Sequence, residues 1–246
     1  MRLQLPIILL LMVLLAACGT PAATEPTPIA VEPTAVPTVA APTESPVLVE
    51  PTQDTGGMPA PGMQVYAIVP EESQVSYEVG EVFFREGNRF ATAIGVTQVI
   101  TGEIRFDQSA PQYSTISPIN IDIQAFTSDD ERRDNRIRQE WLESARFPIA
   151  TFVPNAIAGL PDSYTYGEEI TLQITGDLTI RETTNPVTFE TTGSITEDDT
   201  MTGTATTNIK MTDFGFDPPD IAGILKAEDD VKITFDFVAR PVSTSR

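Results

Sequence analysis

The sequence predicts an all-β protein: an antiparallel sheet of about eight strands that closes on itself, with a short helix capping one end. Three observations favour this fold. Apolar and polar residues alternate with period two over several segments, turn residues separate many of these segments, and a single segment has helical spacing. Such alternation is typical of strands with one buried and one exposed face. Closure removes exposed sheet edges, and a two-sheet sandwich stays open as the alternative.

The strand signal is the alternation itself. In the four clearest segments every second residue is apolar or glycine, and its neighbours are mostly Thr, Asn, Asp, Gln, Lys or Arg; these are Ile100–Phe106, Ile119–Ala125, Ile170–Ile180 and Val231–Phe237. Shorter segments of the same character predict four more strands, at Val75–Val79, Ala150–Val153, Val187–Thr191 and Thr202–Met211. Together they supply the eight strands that a small barrel needs.

One segment has the pattern of a helix instead. Ser128–Glu131 matches a capping box, in which the serine accepts from an early backbone N–H and the glutamate reaches back to the serine. The following residues, Arg132–Ser144, are expected to form the helix. Ile137 and Trp141 lie four residues apart, hence on one face. We expect this face to pack against an end of the barrel, with Trp141 as its anchor.

The first residues predict export and a membrane anchor. Arg2 precedes an apolar run from Leu5 to Leu15, which is shorter than the roughly 20 residues that span a bilayer. The run ends at Leu15-Ala16-Ala17-Cys18, which resembles a bacterial lipobox. This predicts a signal peptide at 1–17, a lipidated Cys18 at the mature N-terminus, and an extracytoplasmic, membrane-anchored lipoprotein. An ordinary signal peptide that happens to contain a cysteine is the alternative.

Composition divides the rest of the chain. Residues 18–63 are rich in Pro and Thr and contain neither Lys nor Arg. Such a segment buries too little surface to offset its ordering entropy, so we expect a lipid-anchored, disordered linker. Residues 64–241 are expected to form the barrel domain, and residues 242–246 a short tail.

Charge and residue types exclude several functions. The formal charge is −20, which argues against nucleic-acid binding because phosphate recognition needs clustered Lys and Arg. The chain has no histidine and its one cysteine is assigned to the anchor, so the common nucleophile and base pairs are missing. The acidic pairs fall at turns or at the helix start. We therefore expect no catalytic residue, no metal site and no cofactor.

Four blocks of sequence resemble the YceI-like family. They are Arg133-Asp134-Asn135-Arg136-Ile137-Arg138 with Trp141 to Pro148, Gly176-Asp177-Leu178-Thr179-Ile180 with Asn185-Pro186-Val187, Thr207 to Phe216 with its Asp-Phe-Gly turn, and Asp230 to Phe235. The likeness extends from about Val65 to Arg240. It implies a lipocalin-like barrel that holds a polyisoprenoid, a quinone or a fatty amphiphile in its interior. Many relatives have histidines near the first strand and in the helix; this chain has none, and Asn135 and Arg136 occupy the helical site.

The expected ligand contacts follow from strand phase and from the resemblance. The residues expected to line the interior are Ile104, Phe106, Ile121, Ile123, Trp141, Phe152, Leu172, Ile174, Leu178, Phe189, Ile233 and Phe235. Asn135 and Arg136 are expected to meet the ligand headgroup. The same apolar residues would equally fill a solid core. The alternative is therefore a surface module with a packed interior that binds a protein or cell-wall partner. The oligomeric state stays open, with a homodimer among the alternatives.

Overall fold

The structure is a computed structural model that describes residues 62–242. Cys18, the predicted signal peptide and nearly all of the predicted linker lie outside these residues, as do residues 243–246. Within residues 62–242, no helix is long and apolar enough to cross a membrane.

The described residues form one antiparallel sheet of 13 strands. The strands are β1 (Met63–Ile68), β2 (Gln74–Phe83), β3 (Arg89–Thr97), β4 (Ile100–Thr101), β5 (Glu103–Asp107), β6 (Thr115–Ile116), β7 (Ile119–Asp122), β8 (Ile149–Ala158), β9 (Ile170–Ile180), β10 (Thr183–Ile195), β11 (Met201–Lys210), β12 (Asp220–Ile221) and β13 (Leu225–Pro241). One α-helix, α1 (Glu131–Arg136), lies between β7 and β8, and single 3₁₀ turns occur at 70–72, 84–86, 111–113 and 212–214.

The sheet closes because one stretch of chain pairs with both of its ends. Strand β4 pairs with β7, whereas β5, which follows directly, pairs with β1. Gly102 lies between them, where its carbonyl accepts from the Ile68 N–H at 3.1 Å. A side chain at Gly102 would collide with Ile119. The predicted strand Ile100–Phe106 is therefore two strands, because the chain changes partner at this glycine.

The closed circuit contains eight strands when β4 and β5 are taken as one: the others are β7, β8, β9, β10, β11, β13 and β1. The predicted antiparallel, lipocalin-like barrel of about eight strands is confirmed. The alternative of a sandwich is wrong for residues 62–242, because their strands all belong to one sheet.

The longest strand, β13, extends the barrel wall past β1. Its last residues pair with β1, whereas residues from Leu225 to Asp236 pair with β2. Strand β2 pairs with β3, and Val96 of β3 forms an isolated bridge with Thr127, shortly before α1. The β2–β3 hairpin thus brings the segment that leads into the helix against the barrel wall.

The helix begins differently from the prediction. Asp130 is the N-cap, and its carboxylate accepts from the N–H groups of Arg132 and Arg133 at 2.8 and 3.2 Å. Ser128 instead donates through Oγ to Asp134, at 2.6 Å. The predicted capping box at Ser128–Glu131 is wrong, because a carboxylate next to the helix takes both amides.

The helix also ends earlier than predicted. After α1 the chain continues as a π-helical turn from Ile137 to Trp141, so it stops short of Ser144. The Arg181 guanidinium, from the β9–β10 turn, donates to the Trp141 carbonyl at 3.1 Å and pairs with Glu143. These contacts satisfy a carbonyl that another helical turn would have used, and so fix the end of the helix.

Two apolar clusters lie inside the barrel. The larger includes Phe126, Phe152, Phe189 and Phe214. The smaller surrounds Tyr66 and includes Phe106 and Tyr164. The Tyr164 hydroxyl donates to the Glu168 carbonyl and accepts from the Ile195 N–H, both at 2.7 Å, so the phenol is buried with its hydrogen bonds satisfied. The hydrophobic interior therefore runs along the barrel axis in two parts.

Candidate ligand-binding cavity

The barrel interior is hollow where the larger cluster lies. A cavity of about 230 Å³ is lined there by side chains from most strands of the circuit and from the helical segment. Native cores rarely contain voids larger than a water molecule, and an apolar cavity of about 150 Å³ already binds benzene. This volume is therefore too large to be a packing defect, and it is large enough for a hydrocarbon group.

Ten of the twelve residues predicted to line the interior lie on this cavity: Ile104, Ile121, Ile123, Trp141, Phe152, Ile174, Leu178, Phe189, Ile233 and Phe235. The other two, Phe106 and Leu172, line a second cavity of about 80 Å³. The two cavities share five lining residues: Ile104, Ile116, Ile174, Thr191 and Phe237. These five form a junction between the two spaces.

The helical segment covers one side of the larger cavity. Ile137 and Trp141 both line it, as their spacing predicts, together with Leu142. Trp141 is partly buried, and its ring lies 5.8 Å from the Arg136 guanidinium carbon. The helix therefore contributes an apolar wall to the cavity.

Asn135 and Arg136, predicted to meet a headgroup, lie elsewhere. Both are exposed, neither lines the cavity, and Arg136 pairs with Glu140 at 3.2 Å. The helical side chain that does reach the cavity with a charge is Arg133, three residues before Arg136. The cation at the cavity wall is therefore Arg133, and not the predicted Arg136.

Arg133 meets a buried carboxylate at the cavity wall. One guanidinium nitrogen lies 3.4 Å from Glu81 Oε2, and the other lies 2.5 Å from Asp129 Oδ1. Glu81 is only 5% exposed. Glu81 and Arg133 are the two charged residues that line the cavity among residues 62–242, and they face each other. The cavity therefore presents a neutralised pair rather than a free cation.

Burial raises the pKa values of two side chains in this wall. Removal from water raises the pKa of Glu81, and the neighbouring Arg133 guanidinium only partly opposes that effect. Burial also raises the pKa of the Tyr77 phenol, to about 12, with the carboxylate of Asp134 adding to the effect. Tyr77 lines the same cavity. The phenol is therefore neutral at physiological pH.

Glu81 gives the stability of the fold a specific pH dependence. A raised native pKa means that the native state keeps a proton which the unfolded chain has already lost, so this contribution to stability falls as pH rises. The fall begins near the ordinary glutamate value of 4.5 and ends at the raised pKa of Glu81. We expect E81Q to remove it, so that the difference in unfolding free energy between wild type and E81Q changes across this range.

Urea unfolding of both proteins at a series of pH values measures that difference. The matched control is E78Q, since Glu78 lies on the outward face of the same strand and pairs with Lys232 at 2.8 Å. A wild-type to E81Q difference that stays constant with pH would contradict the assignment.

The alternation of inward and outward residues along the strands could have identified two of the polar residues that line the cavity. Glu81 continues the inward series of Val75 and Val79 on β2, and Thr191 continues the series of Val187 and Phe189 on β10. A polar residue in phase with buried apolar ones is unusual. Arg133 lacks such a signal, because its contact with the cavity depends on where the helix docks.

Comparison with known proteins identifies relatives of this chain. The model of the YceI-like domain matches residues 66–239. A UPF0312 protein of Pseudomonas putida (strain W619) is 30% identical over 131 residues, covering 51% of this chain and 64% of the relative. A UPF0312 protein of Pseudomonas syringae pv. tomato is 29% identical over 147 residues, covering 56% of this chain and 70% of the relative.

Two solved structures share the fold. Burkholderia cenocepacia BcnA has a TM-score of 0.54 and 23% identity, with 70% of this chain and 98% of BcnA covered. A polyisoprenoid binding domain from Saccharophagus degradans has a TM-score of 0.55 and 12% identity, with 73% and 99% covered. Together with the domain match, which spans more than half of the sequence, these findings show that the chain belongs to the YceI-like family.

Proposed function

We propose that this protein binds a long hydrophobic molecule inside its barrel and makes or breaks no bond. The ligand class is a polyisoprenoid, a quinone or a fatty amphiphile, held for sequestration or transport. The observation that carries the proposal is the cavity of about 230 Å³ with its almost wholly apolar wall. The structural neighbour from Saccharophagus degradans is a polyisoprenoid binding domain, which supports the same class.

The energetics favour an occupied cavity. Each methylene that enters from water gains about 0.8 kcal/mol, so a chain of ten carbons offsets several kcal/mol of lost translational freedom. The transfer of hydrocarbon from water is thus enough to hold such a chain in the cavity.

The residues that line the cavity have two kinds of role. The apolar residues, such as Phe152, Leu178 and Ile233, would contact the hydrocarbon chain. The Glu81–Arg133 ion pair is the charged part of the wall, and its two charges compensate each other. Neither of these two side chains is unpaired, so neither offers the ligand a free charge.

The location is part of the proposal. Lipidation of Cys18 would hold the barrel outside the cytoplasm, and residues 18–63 would set its reach from the membrane. A barrel tethered to a membrane is well placed to exchange a membrane-soluble ligand. The hydrocarbon chain alone, whatever its headgroup, is enough to partition between the bilayer and the barrel.

Mass spectrometry of organic extracts tests the function. The full chain is purified in mild detergent without unfolding, extracted, and compared with an equal amount of protein that was unfolded, washed and refolded. We expect a lipid with an extended hydrocarbon chain, near one molecule per protein, in the first extract and not in the second. Absence of any lipid, together with no binding of added prenols to the refolded protein, would overturn the proposal.

A further inference from the structure

One polar side chain lies at the junction of the two cavities. Thr191 is 4% exposed and lines both spaces. It projects inward from β10, in register with Leu172 on β9 and Ala205 on β11. Its surroundings are therefore apolar on both neighbouring strands.

The Thr191 hydroxyl has no hydrogen-bond partner among the described residues. A buried hydroxyl without a partner destabilises the fold, because it gives up its bonds to water and gains none in return. Valine has nearly the same shape and would avoid this cost. The interior hydroxyl of Tyr164, by contrast, makes two hydrogen bonds to the backbone. The unpaired oxygen of Thr191 thus contrasts with the satisfied phenol on the same smaller cavity.

Water is a poor partner for this hydroxyl. A buried water needs two to four polar neighbours. The other four residues of the junction are Ile104, Ile116, Ile174 and Phe237, which offer none through their side chains. A ligand that brings its own oxygen into the apolar space would satisfy the hydroxyl without that requirement.

The position of the charges indicates that this oxygen is uncharged. Glu81 is in register with Ala227 on β13, whereas Thr191 connects through Ala205 to Phe235 of the same strand. Phe235 is in turn paired with Val75, and six residues of β2 separate Val75 from Glu81, on the order of 20 Å at 3.3 Å per residue. The Glu81–Arg133 pair is therefore remote from the junction, and a phosphate or carboxylate placed there would be buried without a counter-ion.

We propose that Thr191 is a ligand-binding residue that hydrogen-bonds one uncharged oxygen of the bound amphiphile, an alcohol, ketone or quinone oxygen. The hydrocarbon chain then occupies the larger cavity. The proposal rests on the proposed function, and it narrows the ligand class to molecules with a small neutral polar group inside the barrel. Phosphorylated prenols fall outside that class.

The test compares three probes on three proteins. Farnesol, farnesene and farnesyl diphosphate have closely similar hydrocarbon chains but carry a hydroxyl, no oxygen and a charged group. Each displaces the fluorescent probe N-phenylnaphthylamine from refolded wild type, T191V and T191S. We expect wild type to prefer farnesol over farnesene about tenfold, equivalent to about 1.4 kcal/mol. T191V should lose that preference, and T191S should keep most of it. Ligand-free T191V should also melt at a higher temperature than wild type.

The following outcomes would contradict the proposal. Equal binding of farnesol and farnesene by wild type, or an unchanged preference in T191V, would overturn the role of Thr191 while leaving the hollow-barrel function intact. Tighter binding of farnesyl diphosphate than of farnesol would overturn the claim of a neutral group. Failure of all three probes to bind would overturn the proposed function, and this proposal with it.

Discussion

Replacing Ala205 with phenylalanine is expected to lower ligand affinity about 100-fold with little loss of stability. Ala205 is buried, lines the larger cavity, and lies between Thr191 and Phe235 in the sheet register. A phenyl ring at this position projects into space that a ligand would fill. Displacement of three or four methylenes, at about 0.8 kcal/mol each, gives a loss close to 3 kcal/mol.

The stability of A205F separates a hollow barrel from a packed one. Extra atoms in a well-packed core cost about 1–3 kcal/mol, whereas a ring that enters an existing cavity costs much less. Displacement titration measures the ligand affinity of A205F, and urea unfolding measures its stability. The matched control is T206F, one residue away on the opposite face of β11, which should change neither value by much. Lost stability with unchanged affinity in A205F would indicate a packed interior.

Replacing Phe152 with alanine is expected to lower the free energy of unfolding by about 3–5 kcal/mol. Phe152 is buried, and its ring packs edge-to-face against Phe189 with centroids 4.9 Å apart. It also lies directly over Gly176, where an added Cβ would come within 2.8 Å of the ring. Alanine would therefore remove both contacts and enlarge the cavity.

The neighbouring residue supplies the control for that change. Val153 follows Phe152 on β8 but points outward and is 42% exposed. V153A should change stability by about 0.5 kcal/mol or less. A double-mutant cycle of Phe152 and Phe189 should give a coupling of about 0.5–1.5 kcal/mol beyond area burial. A loss below about 1 kcal/mol in F152A would contradict the packing described for this wall.

Strand phase is the part of the fold that the sequence predicts best. Strand β9 has the predicted bounds, Ile170–Ile180, and its inward residues Ile174 and Leu178 are buried as expected. Period-two alternation is a local property, so it survives whichever strands become neighbours. Eleven of the twelve expected lining residues reach one of the two cavities for the same reason, whereas Trp141 reaches the larger one from the helical segment.

Strand β3 shows where that reasoning fails. Its large apolar residues, Phe90 and Ile94, point outward and are 57% and 48% exposed. Its inward residues include Ala93 and Gly95, and Gly95 leaves room for the Tyr77 ring. The hydrophobic pattern is thus inverted relative to burial, because the partner strand supplies the bulk. A prediction made from one strand at a time cannot include the bulky side chains that the neighbouring strand supplies.

Two other features depend on the closed structure. Arg133 and Glu81 are 52 residues apart in sequence and meet only because the helix docks beside β2. The hollow itself has no local signal, since the same inward residues would line a cavity or fill a core. Strand phase sets the chemistry of the interior, whereas the geometry of closure sets its volume.

We expect a hydrophobic molecule to enter the space that the inward side chains surround. Isotope-filtered NMR of the labelled protein with farnesol measures this directly, through nuclear Overhauser effects between ligand protons and protein methyl groups. The expected contacts are to the inward methyls of Ile174, Leu178 and Ile233. Contacts confined to exposed methyls such as those of Ile149 and Val153 would contradict the account.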